Sequence, residues 1–176
     1  MFDTIAGLPV HILVIHVVVV IGPLTAVLAT AYAVRPTWRL ALRWWLVGSA
    51  VLTGVTGAVA GASGEDLERR VRQIPGASAS QLALVHDHAE AGDLARALCL
   101  LLMLVVLAAV WALLPPVGGP RLGGRPMALL TSVVLVLVSV GTLASVTLTG
   151  HSGAKASWAD KVQGPLPAEG PGGGHD

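Results

Sequence analysis

The sequence predicts an all-α integral membrane protein: a four-helix bundle of antiparallel up-down-up-down topology, with a short interfacial helix between the second and third spans. Three observations carry this reading. Of the 176 residues, 54% are hydrophobic and only 12% charged, about half the charged share of a soluble domain, so too little polar surface exists to cover a globule in water. Four apolar runs, near residues 10–34, 44–62, 94–114 and 127–149, have the length of about 20 residues that crosses a hydrocarbon core of about 30 Å. In lipid each backbone N–H and C=O must pair within its own segment, which makes these runs helices.

The first run, Val10 to Val34, contains His11, His16 and Pro23. Ala31-Tyr32-Ala33 resembles a signal-cleavage site, but no Lys or Arg precedes the run and it exceeds the usual apolar core of a signal peptide, so it is kept as a span. A short connection with Arg35, Arg39, Arg43 and no acid leads to Trp44–Ala62. There Gly57 and Gly61 form a GxxxG pattern, extended by Thr53 and Ser49, that suits close helix packing or homo-oligomerisation. The segment 63–93 is acidic, with Glu65, Asp66, Glu68, Asp87, Glu90 and Asp93. Ser63 followed by Asp66 reads as a capping box, Leu67, Val71 and Ile74 as a helical apolar stripe, and Pro75-Gly76 as its stop. These define the interfacial helix, with Arg69, Arg70 and Arg72 towards the headgroups. The third span is Leu94–Leu114; a second basic connection with Arg121 and Arg125 leads to the fourth, Met127–Thr149, with Gly141 and Ser145 on one face. The transmembrane domain covers residues 1–158, and the Gly/Pro-rich stretch 159–176 reads as a disordered tail.

The arginines of the two short connections lie beside Trp38, Trp44, Trp45 and Trp111. Short basic loops with an aromatic belt mark a cytoplasmic face, which puts both termini outside, in a bacterial cytoplasmic membrane. A formal charge of +1 gives no basic surface for nucleic acid; the bilayer is the expected partner, with a larger membrane complex or a redox protein beside it. The single cysteine, Cys99, excludes an internal disulfide.

Antiparallel crossings bring all six histidines and all ten acids to the other face. His11 and His16 lie within or against an apolar run, where an ionisable side chain is costly and points to function. Counting along the helices places His11, Glu90, Asp93 and His151 in one layer, with His16 roughly 7 Å deeper. His86, Glu90 and Asp93 are spaced i, i+4, i+7 on one helical face, whereas His88 projects about 200° away. Histidine with carboxylate at this spacing suits zinc, iron or manganese. His11 and His151, on different helices at similar depth, meet the requirement of a bis-histidine haem. The candidate cofactor-binding residues are therefore His11, His16, His88 and His151. The candidate metal ligands are His11, His86, His88, Glu90, Asp93 and His151, and the candidate groups are haem b and a transition metal (Zn, Fe or Cu). His16 also reads as a buried histidine bonded across a helix interface, or as a proton relay. No phosphate-binding loop, dinucleotide fingerprint or paired nucleophile and base is visible, so a stand-alone enzyme is not expected.

Gly7-Leu8-Pro9-Val10-His11 with His16 five residues on, four spans, and a closing Gly150-His151-Ser152-Gly153-Ala154-Lys155 with Trp158 resemble the bacterial membrane protein family catalogued as domain of unknown function 2231. The resemblance covers nearly the whole chain and is most specific at its two ends. Family members show a Leu-Pro-x-His start and a second His often followed by an aromatic residue and Pro; here Val17 and Val18 follow His16, a departure from that pattern. The resemblance implies the fold and the membrane location and supplies no reaction. Some members are joined to cytochrome c-like segments, which favours a redox setting.

Three functions follow as alternatives. The first is a haem- or metal-binding protein for redox or metal handling. The second is a non-catalytic accessory or assembly subunit of a larger membrane complex. The third is a small proton or metal-ion transporter; against it, the halves of the spans nearer the arginines carry no ionisable residue to continue a path.

Overall fold

The computed structural model describes residues 4–5, 8–76, 78–114 and 123–163. Arg121, His175 and the stretch beyond Gln163 lie outside them. Two-residue strands β1 (Thr4–Ile5) and β2 (Leu8–Pro9) pair antiparallel ahead of the first helix, Thr4 opposite Pro9. The rest is helical: α1 (Val10–Val34), α2 (Arg39–Val71), α3 (Ala79–Ala108) and α4 (Gly124–Gln163). All four are long and apolar enough to cross a membrane.

Local chemistry sets the helix ends. Arg35 precedes Pro36, and a residue before proline is pushed out of the α region; at φ −123°, ψ 84° it ends α1, and the tight 3-10 turn Pro36–Trp38 leads into α2. Arg39 caps the end of α1, its Nε donating to the Tyr32 carbonyl at 3.1 Å and its Nη2 to that of Ala33 at 3.4 Å, as cations do at helix C-termini. Gly76, at φ +85°, makes the turn before α3. There Ser78 is the N-cap, its hydroxyl accepting from the Gln81 N–H at 3.1 Å. At its far end α3 widens into a π-helical turn, Ala109–Leu113. The Leu114 carbonyl just beyond is satisfied by the buried Tyr32 hydroxyl, which donates to it at 2.6 Å.

Each helix packs on the next, and α4 returns to α1. Neighbours meet in opposite sequence directions. On α2, Gly54 lies against Met103 of α3 and Gly57 against Cys99; between α3 and α4, Thr142 reaches the Leu98 carbonyl and Thr149 the Ala91 carbonyl. A buried hydroxyl pair, Thr25 and Thr53 at 2.9 Å, joins α1 to α2. The main core lies towards the arginine end around Tyr32, Leu46, Leu102 and Leu135, and a smaller cluster of Val18, Cys99 and Val146 lies towards the histidine end. Large apolar side chains such as Val20, Leu104, Leu137 and Leu148 are exposed, an arrangement stable only where the surroundings are apolar. The molecule is a membrane protein.

The interfacial helix expected from Ser63 is not a separate element. Helix α2 runs unbroken from Arg39 to Val71, about 50 Å for its 33 residues, so its last turns outgrow a core of about 30 Å. Ser63 does not act as a cap: its hydroxyl donates back to the Ala60 carbonyl at 3.1 Å, the bond a mid-helix serine makes. Extending an existing helix also avoids the cost of nucleating a new one. Helix α3 likewise begins at Ala79, well before the apolar run, and α4 continues beyond it to Gln163.

The GxxxG glycines work inside the chain. Gly57 is buried against Cys99, and Gly61 leaves space for the Arg96 side chain, which crosses α2 to pair with Glu65 at 2.6 Å. The face expected to serve a second copy is thus packed against α3.

Candidate functional site

At the end opposite the arginines, the first turn of α1 presents His11, half-buried beside α2. Its Nδ1 lies 3.0 Å from the Ala60 carbonyl and 3.3 Å from the Ser63 hydroxyl. A carbonyl only accepts, so Nδ1 carries the proton and Nε2 keeps its lone pair. The next residue, Gly64, forms a platform for the ring: a Cβ there would stand 3.1 Å from His11 Cε1.

The second hairpin repeats this unit. His88 of α3, also half-buried, has Nδ1 3.1 Å from the hydroxyl of Ser152 on α4. Ser152 spends its own proton on the Thr149 carbonyl at 3.0 Å, so its oxygen accepts from the imidazole. Gly153 is again the platform; a Cβ there would lie 2.9 Å from His88 Cε1. Each hairpin therefore sets a histidine of its first helix on a Ser-Gly step of its second, and each serine donates to the carbonyl three residues before it. These are the sequence's two Ser-Gly dipeptides. The units face one another: the His11 and His88 rings stand edge to face, centroids 6.3 Å apart and planes at 78°. Both Nδ1 atoms are committed to the protein, and among the described residues no hydrogen bond engages either Nε2, the arrangement that outer-shell hydrogen bonds impose on metal-binding histidines.

The other predicted residues lie elsewhere. His16 is exposed on α1 with Nδ1 bonded to the Ile12 carbonyl of its own helix, since five residues at about 100° each turn it away from His11. His151 is exposed, and the histidine that faces His11 is His88, not His151. One residue of helix decides this, because Ser152 rather than His151 points into the bundle mouth.

His86 belongs to a separate surface group, with Nε2 3.6 Å from Glu90, Nδ1 3.7 Å from Glu68, and Arg72 within 3.4 Å. Asp93 is exposed on α3. Among the described residues no group of three or more His, Cys, Asp or Glu side chains is placed to hold a metal ion. The six-residue set thus divides into the His11–His88 pair, the His86–Glu90 pair, and His151 and Asp93 apart from both. The sequence marks Ser63 only as a cap and Ser152-Gly153 only as part of the closing motif, and none of Ser63, Gly64, Ser152 and Gly153 as a partner of a histidine. Their signal was the repeated Ser-Gly step, which acquires meaning only once each step is set beside a histidine.

The model of a family of predicted membrane proteins, domain of unknown function 2231, matches residues 7–164. Neither a curated protein nor a solved structure matches the chain significantly.

Proposed function

The chain belongs to that family of predicted membrane proteins, and on this footing we propose that His11 and His88 together hold one metal-centred group, haem b ahead of a bare transition ion, for redox chemistry or metal handling at one membrane surface. The observation that carries the reading is the facing imidazole pair, each ring oriented through Nδ1 with Nε2 left as the ligating atom. Two imidazoles bound to one ion from opposite sides, at about 2.0–2.1 Å per bond, have ring centres roughly 6 Å apart. The 6.3 Å separation is of this size, and the edge-to-face rings must turn to aim both Nε2 atoms at one ion. Two protein ligands suit a metal that arrives with its remaining ligands, as haem iron does in its porphyrin. A bare zinc, iron or copper ion needs water or a small anion to complete its shell.

The histidine end is assigned to the extracytoplasmic side of a bacterial cytoplasmic membrane. Arg35, Arg39, Arg43 and Arg125 lie at the opposite end, which carries no acid among the described residues, and short basic connections stay in the cytoplasm.

The test is a reduced-minus-oxidised visible spectrum with elemental analysis on the detergent-purified protein and its variants. Haem or metal at stoichiometric level is expected in the wild type, lost in His11→Ala and His88→Ala and kept in His16→Ala and His151→Ala. A haem spectrum identifies the first group and metal without it the second. A folded protein that takes up neither sinks the proposal and moves weight to an accessory-subunit role.

A further inference from the structure

At the arginine end no loop joins α1 to α4, and their seam leaves an open cleft of about 410 Å³, within the range of about 300–1,000 Å³ typical of small-molecule sites. Val27 of α1 and Leu143 of α4 form its walls, both exposed, while Thr30 and Ser139 lie deeper. The two hydroxyls make no demand on an occupant: Thr30 donates to the Ala26 carbonyl at 2.8 Å and Ser139 to the Leu135 carbonyl at 2.7 Å, each within its own helix. The cleft thus offers an apolar trough, suited to a hydrocarbon chain.

Its mouth is charged. Arg35 lines the cleft with its guanidinium 5.7 Å above the Trp38 ring. Arg39 spends its donors on the carbonyls that end α1, whereas Arg35 meets no carboxylate or carbonyl among the described residues. The acids among the described residues, on 65–68, 87–93 and at 160, lie towards the other end. Trp38, 52% exposed, is the kind of residue that settles at headgroup level, so a chain in the cleft brings its headgroup to Arg35. Trough and cation together match one ligand chemistry. We propose that the α1–α4 cleft holds an acyl chain of an anionic phospholipid whose phosphate pairs with Arg35. This stands independently of the histidine pair.

The experiment is native mass spectrometry of the full chain in detergent, titrated with dioleoylphosphatidylglycerol and, separately, with zwitterionic dioleoylphosphatidylcholine. One phosphatidylglycerol is expected to be retained in preference. Arg35→Gln should cut that preference about fivefold, and Ala31→Leu, which fills the cleft, should weaken retention of both lipids. Arg125→Gln, at the same end but outside the cleft, should leave the preference intact. The proposal is overturned if the wild type shows no preference, if Arg35→Gln keeps it, or if Arg125→Gln loses it equally, which would mark a merely basic surface.

Discussion

His11 and His88 stand edge to face, their centroids 6.3 Å apart, each tied through Nδ1 to the neighbouring helix of its own hairpin. The α1/α2 hairpin supplies Ala60, Ser63 and Gly64; the α3/α4 hairpin supplies Thr149, Ser152 and Gly153 at the same relative positions. The pair is therefore built twice from one local plan and completed only where the hairpins close into a bundle.

The glycine platforms set the first prediction. A methyl at position 153 would press on the His88 ring at 2.9 Å, and one at 64 on His11 at 3.1 Å. Gly153→Ala should displace the His88 ring and move its resonances, and Gly64→Ala should move those of His11 less. The displacement offsets the gain of about 0.5–1 kcal/mol in helix propensity, so Gly153→Ala should melt no higher than Gly48→Ala in detergent. Unmoved His88 resonances in Gly153→Ala would show that the ring does not rest on this glycine.

The two serines should not be equivalent. His11 has its nearest acceptor in the Ala60 carbonyl at 3.0 Å, with Ser63 further away, whereas His88 has its nearest in Ser152 at 3.1 Å. Ser152→Ala should therefore destabilise more than Ser63→Ala, by about 0.5–1.5 kcal/mol for the hydrogen bond removed. It should also broaden the His88 ring resonances more than those of His11. The reverse order would contradict the hydrogen-bond assignment.

Tyr32→Phe removes the donor that satisfies the Leu114 carbonyl at the end of α3. Leaving that buried carbonyl unpaired should cost about 1–3 kcal/mol. Hydrogen exchange should rise around 109–114 and stay unchanged near His11; uniform exchange throughout would argue against a local role.

Two substitutions on α2 separate packing from helix propensity. A Cβ on Gly57 would lie 2.9 Å from Cys99 Cβ, an atom too close to the backbone to swing aside, whereas nothing lies within 4 Å of Gly48. Gly57→Ala should lower stability by about 1–3 kcal/mol and make the buried Cys99 reactive towards a maleimide. Gly48→Ala should stabilise by about 0.5–1 kcal/mol. Lower melting temperatures for both would mean that α2 packs in another register.

Thr25 and Thr53 give a coupling test. Either single change to Val strands a buried hydroxyl and should cost about 0.6–1.7 kcal/mol, the range for interhelical hydrogen bonds in membranes. Changing both removes the pair together, so the double variant should cost less than the sum. Strict additivity would mean that the 2.9 Å contact carries no interaction energy.

The sequence by itself determined the helices and the polarity of the bundle. Four apolar runs in lipid can satisfy their backbones only as helices. Connections that alternate ends then place Arg35, Arg39 and Arg43 at one end and His11, His88 and Ser152 at the other; depth follows from counting residues along an axis. The tertiary structure decided rotation about each axis. A step of about 100° per residue separates Ser152, which holds His88, from the exposed His151, and a five-residue offset turns His16 outward although it shares a helix with His11. Packing also decided that α2 continues through Ser63, which put Gly64 beneath His11, and that Gly57 and Gly61 meet α3 of the same chain. These outcomes depend on which face each helix turns to two neighbours at once, a property of the closed bundle that no single segment contains.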